Sequence, residues 1–284
     1  MKPIIKYRGG KSKELDELTP FIPPYKGRYI EPFFGGGAMY FHLEPQSAII
    51  NDINAPLMSF YKGVRDDYDT VRADLDKLQI EYEKNRKDFE TRKKQAPTER
   101  VEDKNEPLYY HIRDMYNGLI PREMSQAAVY YFINKTAYSG MIRYNSKGEY
   151  NVPYGRYRNF NTSILTENHS LLLKSAEIRN GDYKAIFDKA CPDDFIFLDP
   201  PYDCIFSDYG NEEYKNGFGE ESHRQLAQDI KNLNCPTLLV IGKTPLIEEL
   251  YHGMIVSEYV KSYSVNIRNR FKSEATHLVI TNYK

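Results

Sequence analysis

Short apolar runs alternate with amphipathic segments through the first 60 residues of the chain. An apolar segment at 29–34 runs into three glycines at 35–37 and then into an amphipathic segment at 38–43. This order predicts a strand, a tight turn and a helix. A second apolar run at 48–50 precedes a helix that is expected to begin near Ala55. Two successive strand–helix units predict the start of a doubly wound α/β sheet.

The middle of the chain has a different pattern. Residues 61–131 show helical periodicity and many charged side chains, without a strand-like apolar run. The most polar part, 81–106, is expected to form a solvent-exposed pair of helices joined by a loop at 95–97. From 138 to 157 the chain is rich in Gly, Asn and aromatic residues, and Asn-Ser-Lys-Gly at 145–148 predicts a hairpin turn.

Strand-like apolar segments return in the last part of the chain. They lie near 176–178, at 194–198 and at 237–241, and two further strands are predicted at 254–260 and 276–282. Because no helix-length pattern separates the last two strands, we expect them to pair as an antiparallel hairpin.

These patterns indicate one α/β domain in two sequence pieces, 1–60 and 165–284, interrupted by a largely helical insert at 61–164. The chain has 284 residues, of which 40% are hydrophobic and 28% charged, enough to bury the core of such a domain. A net charge of −1 gives no overall basic field. Any nucleic-acid partner would therefore be bound by local basic patches.

Cysteine usage and hydropathy bear on the cellular environment. Three cysteines occur without a CxxC pair, which is typical of reduced thiols in a cytoplasmic protein. The first residues contain no apolar segment of secretory length, and no run of about 18 apolar residues occurs, so we expect no membrane association. The six histidines lack metal-ligand spacing, so no metal site is predicted.

The sequence Asp199-Pro200-Pro201-Tyr202 directly follows the predicted strand at 194–198. It places a carboxylate at the carboxyl end of a strand, where open α/β sheets build their sites. The prolines stiffen the turn and lack N–H donors, so their carbonyl groups remain available as acceptors. Two acceptors beside a tyrosine ring suit a planar group with an exocyclic NH2, such as an adenine edge. A rigid turn without a ligand is the alternative.

The glycines at 35–37 suggest a nucleotide, but two familiar phosphate-binding patterns do not fit. The dinucleotide fingerprint GxGxxG is satisfied at Gly35 and Gly37 and fails at Tyr40. A P-loop would need glycine five residues before Gly10, where the chain has Ile5. The sequence therefore supports neither a pyrophosphate nor a triphosphate.

What remains is a glycine turn followed by Asp52 at the end of the next predicted strand. This pair suits a ribose whose hydroxyl groups donate to a carboxylate. Glu31, just before the glycines, could bind the ammonium of an amino-acid group. S-adenosylmethionine has all of these parts. A tight turn without a ligand and a helix cap at Asp52 are the alternatives.

Taken together, four motifs strongly resemble the deoxyadenosine methylase (Dam) family of DNA adenine-N6 methyltransferases. In chain order they are Lys6-Tyr7-Arg8-Gly9-Gly10-Lys11, Glu31-Pro32-Phe33-Phe34-Gly35-Gly36-Gly37, Asn51-Asp52-Ile53-Asn54 and Asp199-Pro200-Pro201-Tyr202. The resemblance covers essentially the whole chain, and residues 134–157 also resemble that family's DNA-reading hairpin. It implies a Rossmann-like, S-adenosylmethionine-dependent α/β methyltransferase fold with a helical target-recognition insert and a terminal antiparallel hairpin.

The resemblance implies roles for the matching residues. The implied cofactor contacts are Tyr7, Gly10, Lys11, Phe34, Asp52 and Asp182, which join Glu31, Gly35, Gly37 and Asp199 in the expected cofactor site. A flipped target base is expected at Asp199, Pro200 and Tyr202. Lys6 and Arg143 would read bases, and Tyr138 would insert into the duplex.

Basic residues are concentrated in two segments. Residues 134–158 and 261–272 each have a balance of +4. The DNA-binding residues expected there, besides Tyr138, are Arg143, Asn145, Arg156, Arg268 and Arg270. Phosphate contacts from such clusters would make DNA binding steeply salt-dependent, and a merely solvent-exposed surface is the alternative.

The predicted function is methyl transfer from S-adenosylmethionine to adenine N6 in a short sequence of double-stranded DNA. The resemblance suggests GATC as the first candidate, and the target base must leave the helix to be reached. We expect a monomer, with a separately acting restriction endonuclease as a candidate partner. The alternatives are a catalytically silent DNA-binding scaffold and methylation of an amino or amide group in RNA or protein.

Overall fold

The computed structural model describes residues 1–202, 218–263 and 273–283, and the chain forms two compact units. The sheet unit consists of Gly9–Asn54 and Ser175–Lys284, and the helical unit of Met1–Arg8 and Ala55–Lys174. The sequence divided the chain at 61 and 164 instead. The helices at Ala55–Asp66 and Glu167–Lys174 pack on each other, so both belong to the helical unit.

The sheet unit contains a seven-stranded mixed sheet in the order β3-β2-β1-β4-β5-β7-β6. Its strands are β1 (Tyr29–Glu31), β2 (Ala48–Asp52), β3 (Ala176–Asn180), β4 (Phe195–Leu198), β5 (Thr237–Gly242), β6 (Ile255–Tyr263) and β7 (Ser273–Thr281). Strands β1 to β5 pair in parallel, whereas β7 is antiparallel to both of its neighbours. The α/β class and the antiparallel terminal pair are confirmed. The sequence did not indicate that β7 lies between β5 and β6.

The central strands are short and buried along their whole length, as their apolar sequences require in a parallel sheet covered on both faces. One face contributes Ile30, Ile49, Ile196, Leu239 and Ile241 to a single hydrophobic core. The helices of this unit are α1 (Leu15–Leu18), α2 (Ala38–Leu43), α8 (Lys184–Phe187), α9 (Glu220–Lys231) and α10 (Pro245–Leu250), with a 3-10 turn at Thr19–Phe21.

The helical unit contains α3 (Ala55–Asp66), α4 (Tyr68–Gln95), α5 (Asn105–Tyr116), α6 (Gln126–Thr136) and α7 (Glu167–Lys174), with a 3-10 turn at Tyr138–Gly140. Helix α6 is buried at nearly every position and packs against α3, α4 and α5. Helix α4 ends at Gln95, at the start of the predicted loop, but the second helix of the exposed pair predicted within 81–106 begins only at Asn105 and buries Tyr109 and Ile112. Within the described part of the chain, no helix is long and apolar enough to span a membrane.

The predicted turn at 145–148 closes a hairpin in the helical unit. Gly148 N donates to Asn145 O at 2.9 Å, and single antiparallel bridges join Tyr144 to Tyr150 and Ala137 to Tyr154. Ser139, in the 3-10 turn before the hairpin, has a left-handed φ of 53°. Backbone hydrogen bonds from Asn145 N to Glu149 O at 2.9 Å and from Asn151 N to Arg143 O at 3.1 Å also join the two arms of the hairpin.

Asp194 anchors the start of β4 to the loop before β1. Its carboxylate accepts hydrogen bonds from Arg28 N at 2.7 Å and Cys191 N at 2.8 Å, and it forms an ion pair with the Arg28 guanidinium at 2.7 Å. Burial raises the pKa of this buried carboxyl, but the bonds from Arg28 and Cys191 outweigh burial and lower the pKa overall. Asp194 is therefore ionised in the folded protein at neutral pH.

We predict that Asp194→Ala lowers the free energy of unfolding by about 2–3 kcal/mol at pH 7, because charged hydrogen bonds are lost. The lowered pKa makes this contribution complete above about pH 4 and progressively lost as the pH falls through the folded-state value. Urea denaturation at pH 7 and pH 3 measures both effects, with the exposed neighbour Asp193→Ala as control. Equal stability of the two variants at pH 7 would contradict the anchoring role.

Candidate active site

Acidic residues stand at the carboxyl ends of neighbouring strands in the sheet unit. Glu31 ends β1, Asp52 ends β2, Asp199 follows β4, and Asp182 lies just beyond β3. Because β1 to β4 run parallel, these ends share one edge of the sheet. This edge is where the sequence placed the cofactor and the target base.

Asp199 is held by Lys11. The Lys11 ammonium, which is buried, lies 2.6 Å from Asp199 Oδ1 and also donates to Gly9 O at 2.9 Å. Burial raises the pKa of Asp199, and the positive charge of Lys11 opposes this rise. The ion pair favours the ionised carboxylate and leaves Oδ2 as an acceptor for another donor.

Tyr202 lies in the same cluster as Asp199 and Lys11. The Lys11 ammonium is 4.9 Å from the centre of the Tyr202 ring, within cation–π range. The half-buried ring also lies edge-on to His277, with 5.1 Å between ring centres. Pro200, between the acid and the ring, is buried. The structure thus brings together the residues that the sequence assigned to the target base.

Glu31 is almost completely buried on β1. Its Oε2 accepts a hydrogen bond of 2.7 Å from the Tyr29 hydroxyl, which lies on the same face two residues earlier. Burial raises the pKa of Glu31 well above its ordinary value, and the charges of Asp199 and Asp52 raise it further. These three carboxyl groups therefore repel one another when ionised.

Asp52 binds the glycine turn that follows β1. Oδ2 accepts from Gly35 N at 2.8 Å, and Oδ1 accepts from Asn54 N at 3.0 Å. Burial raises the pKa of Asp52, while these backbone donors lower it in part. A carboxylate has about four acceptor sites, so Asp52 can also accept from a hydroxyl group of a ligand.

The glycine turn also requires Gly37 for steric reasons. Its φ is 64°, in the left-handed region, and a Cβ there would lie 2.5 Å from Phe34 Cζ. The Phe34 ring is buried and packs against Tyr40 and Phe41.

Asn51, which had no predicted role, is a positioning residue for the sheet edge. Its buried amide donates to Pro32 O at 3.0 Å and Gly181 O at 2.9 Å, linking the loops after β1 and β3. A polar Asn inside an otherwise apolar strand sequence was the available signal. Asp182, in the second loop, is exposed and accepts from Lys184 N at 2.9 Å.

In the helical unit, the side chain of Asn134 holds the backbone of Lys6 by two hydrogen bonds. Lys6 N donates to Asn134 Oδ1 at 2.9 Å, and Asn134 Nδ2 donates back to Lys6 O at 2.8 Å. The Lys6 ammonium lies 4.1 Å from the centre of the Tyr157 ring and donates to Lys135 O at 3.2 Å. Burial and the charge of Lys6 lower the pKa of Lys135 to about 8.

The hairpin displays three of the residues expected to bind DNA. Tyr138 is exposed at its base, and Arg143 is exposed with its guanidinium donating to Asn151 Oδ1 at 2.8 Å. The Asn145 amide is engaged inside the turn, where it accepts from Glu149 N at 3.0 Å and donates to the Glu149 carboxylate at 2.8 Å. Asn145 therefore shapes the hairpin.

The structure changes the expected charge of this segment. Arg156 forms an ion pair with Glu106 at 3.2 Å, and Arg158 with Glu90 at 3.2 Å, so helices α5 and α4 partly neutralise the basic patch. All four partners are at least partly exposed, and phosphate groups could displace the acids.

The remaining predicted residues have the following positions. Tyr7 is half-buried in the helical unit, and Gly10 is exposed beside Lys11 in the sheet unit. Arg268 and Arg270 lie outside the described residues. Among residues 1–202, 218–263 and 273–283, no group of three or more His, Cys, Asp or Glu side chains is arranged as a metal site.

A sheet of this order, with acidic residues at its carboxyl edge, is the arrangement expected of a Rossmann-like α/β methyltransferase fold. Residues 7–267 match the family of D12 class N6 adenine-specific DNA methyltransferases. The chain belongs to this family, which includes adenine-specific DNA methyltransferases of the Dam type. The expected fold class and reaction are thereby confirmed.

Similar proteins span nearly the full chain. M.CviBI, a type II methyltransferase of Paramecium bursaria Chlorella virus NC1A, is 34% identical and covers 100% of both chains. M.MjaIII, a type II methyltransferase of Methanocaldococcus jannaschii, is 31% identical, with 100% of this chain and 99% of the relative aligned. A DNA adenine methylase of Haemophilus influenzae is 26% identical, with coverage of 89% and 83%.

The family implies S-adenosylmethionine as the methyl donor, and the residues present fit it. The buried carboxyl groups of Glu31, Asp52 and Asp199 have pKa values raised by burial. A ligand that carries a sulfonium and an ammonium would relieve their mutual repulsion. The Asp52 carboxylate suits a ribose hydroxyl group as its acceptor.

The glycine turn yields a stability prediction with an internal control. Gly37→Ala should lower the free energy of unfolding by about 2–4 kcal/mol, combining left-handed strain with the clash against Phe34. Gly118 also has a left-handed φ, of 70°, but open space for a Cβ, so Gly118→Ala should show the strain of about 1–2 kcal/mol alone. Urea denaturation measures both, and equal losses would contradict the clash.

Proposed function

We propose that Asp199, Pro200 and Tyr202 bind the target adenine of a nucleotide flipped out of double-stranded DNA. The Lys11–Asp199 ion pair beside the Tyr202 ring is the observation that carries this proposal. It combines a fixed anionic acceptor with an aromatic surface at the edge where α/β sheets bind ligands. A stacked base is inaccessible, so extrusion at a cost of a few kcal/mol is required.

The acceptors would activate the adenine amine. The N6 lone pair is delocalised into the ring, which makes the amine a poor nucleophile. Hydrogen bonds from N6 to Asp199 Oδ2 and to the Pro200 carbonyl would favour a pyramidal nitrogen with an available lone pair. As N6 gains positive charge during transfer, the fixed Asp199 carboxylate stabilises it, and the proton can leave afterwards.

We assign the cofactor to the sheet edge. S-adenosylmethionine, when bound, supplies an electrophilic methyl group. Asp52 would accept from the ribose hydroxyl groups, and Glu31 would bind the ammonium, with Gly35 allowing close approach of the backbone. These residues bind and orient, and in-line transfer depends mainly on such positioning.

We further propose that the helical unit is the target-recognition domain, with GATC as the first candidate sequence. Lys6 and Arg143 are the proposed base readers, since Lys and Arg pair well with guanine. Tyr138 is exposed where it could insert into the duplex. Asn145 would act by shaping the hairpin, and Arg156 by exchanging Glu106 for phosphate.

The cellular partners are also proposals. Two similar proteins are named type II methyltransferases, a designation used in restriction–modification systems. This supports a cognate restriction endonuclease that acts separately on the same sequence. We propose that the methyltransferase itself binds DNA as a monomer.

We predict that the wild-type protein transfers labelled methyl groups from S-adenosylmethionine to adenine N6 at one short sequence in unmethylated duplex DNA. Asp199→Ala should reduce this transfer by about 100- to 1,000-fold, by analogy with the loss of a group that stabilises developing charge, and leave cofactor binding largely intact. Asp188→Ala, an exposed acid in the same unit, is the control. Sequencing of the modified DNA gives the recognition site.

Other outcomes identify the alternatives. An active Asp199→Ala protein would contradict the proposed mechanism. Cofactor binding without transfer to DNA would direct the search to RNA or protein acceptors. Absence of both methyl transfer and cofactor binding would favour a catalytically silent scaffold.

The lowered pKa of Lys135 predicts pH-dependent DNA affinity. With a pKa of about 8, Lys135 is mostly charged at pH 7 and mostly neutral at pH 9. A phosphate contact from Lys135 would therefore weaken by up to about tenfold across this range. DNA dissociation constants at fixed salt should show this loss in the wild type and a smaller loss in Lys135→Arg, which stays charged. Identical pH profiles would exclude the contact.

A further inference from the structure

Another buried carboxylate in the sheet unit, Glu14, collects three side-chain donors. The Tyr259 hydroxyl donates to Oε2 at 2.5 Å, and His277 Nδ1 lies 2.7 Å from the same oxygen. The Lys261 ammonium forms an ion pair with Oε1. We call these four residues the Glu14 cluster. None of them was assigned to the cofactor or the target base.

The negative charge of Glu14 determines which ring nitrogen of His277 carries a hydrogen. Burial raises the pKa of Glu14, but the bonds from His277, Lys261 and Tyr259 and the charge of Lys11 lower it to about 2 overall. Glu14 is thus ionised at neutral pH and can only accept hydrogen bonds. His277 Nδ1 must therefore carry the hydrogen, which fixes the orientation of the fully buried imidazole ring.

The oriented imidazole is one wall of the space that holds Tyr202. The two rings meet edge-on at an interplanar angle of 87°. His277 on β7 pairs with Gly242 on β5, and a Cβ on Gly242 would lie 3.2 Å from Tyr202 Cδ2. The tyrosine ring therefore rests on Gly242 and against His277.

Glu14 also fixes the turn that carries Lys11. Glu14 N donates to Lys11 O at 2.8 Å, so the two residues belong to one turn. Lys11 in turn pairs with Asp199 and lies over the Tyr202 ring. Two neighbours of the Tyr202 ring are thus tied to Glu14, His277 through the carboxylate and Lys11 through the Glu14 backbone N–H.

We propose that Glu14 and His277 are positioning residues that hold the Tyr202 ring in the orientation needed to stack the target adenine against the Asp199 acceptor. This inference rests on the proposed role of Tyr202 in binding the base. Glu14 itself touches no substrate, because its carboxylate is occupied within the cluster.

The test is a pair of double-mutant cycles measured by single-turnover methylation at saturating DNA and S-adenosylmethionine. His277→Asn and Glu14→Gln should each slow transfer by about 10- to 100-fold, the range expected when a reacting group is misplaced. In a Tyr202→Ala background the same changes should slow it by less than about threefold, because they act through that ring. Glu258→Gln, an exposed acid on β6, is the matched control and should leave the rate unchanged.

Two further measurements separate positioning from folding. Fluorescence of 2-aminopurine at the target position should show altered stacking in His277→Asn and Glu14→Gln, with dissociation constants for DNA and cofactor within about threefold of wild type. Circular dichroism reports whether each variant folds. If either His277→Asn or Glu14→Gln fails to fold, the cycle with the other variant still tests the inference.

Specific outcomes would overturn the inference. Additive rate effects of His277→Asn and Tyr202→Ala in a folded, DNA-binding protein would show that His277 does not act through Tyr202, while the proposed function would stand. An unchanged rate in both His277→Asn and Glu14→Gln would have the same meaning. An unchanged rate in Tyr202→Ala would remove the role of Tyr202 and this inference together.

Discussion

The burial of negative charge at the carboxyl edge of a parallel sheet is the constraint on which the candidate active site depends. Glu31 and Asp52 end adjacent strands and Asp199 follows a third, and each has a pKa raised by the loss of water. An ionised carboxylate in such a place needs donors or a cation. Lys11 supplies the cation for Asp199. The remaining charge makes the edge a suitable site for a cationic cofactor.

Much of the surrounding structure satisfies these acids. The glycine turn gives a backbone donor to Asp52, and Asn51 links the loops on either side. In the Glu14 cluster, donors from β6 and β7 likewise satisfy a buried carboxylate, which lies close to Lys11 in the chain. A buried polar network of this kind is rigid when every member is satisfied. Rigidity is what methyl transfer to a weak nucleophile requires.

The helical unit presents basic groups although the protein as a whole is not strongly basic. The chain has a net charge of −1, and Arg156 and Arg158 are ion-paired with acids of neighbouring helices. Exposed pairs contribute little to stability and can exchange partners. Lys6 and Lys135 instead lie close together, and burial and, to a smaller extent, repulsion from the charge of Lys6 lower the pKa of Lys135. Phosphate would relieve that repulsion.

The sequence by itself determined the strand–helix units, the glycine turn, the helix end at 95 and the acid after β4, because local periodicity and turn chemistry encode these features. It did not determine the place of β7 between β5 and β6, nor the pairing of Glu14 with His277, 263 positions away. Local pattern cannot specify such partners, because the order of strands decides which distant side chains meet. Ion pairing of Arg156 was missed for the same reason: its acid lies on another helix.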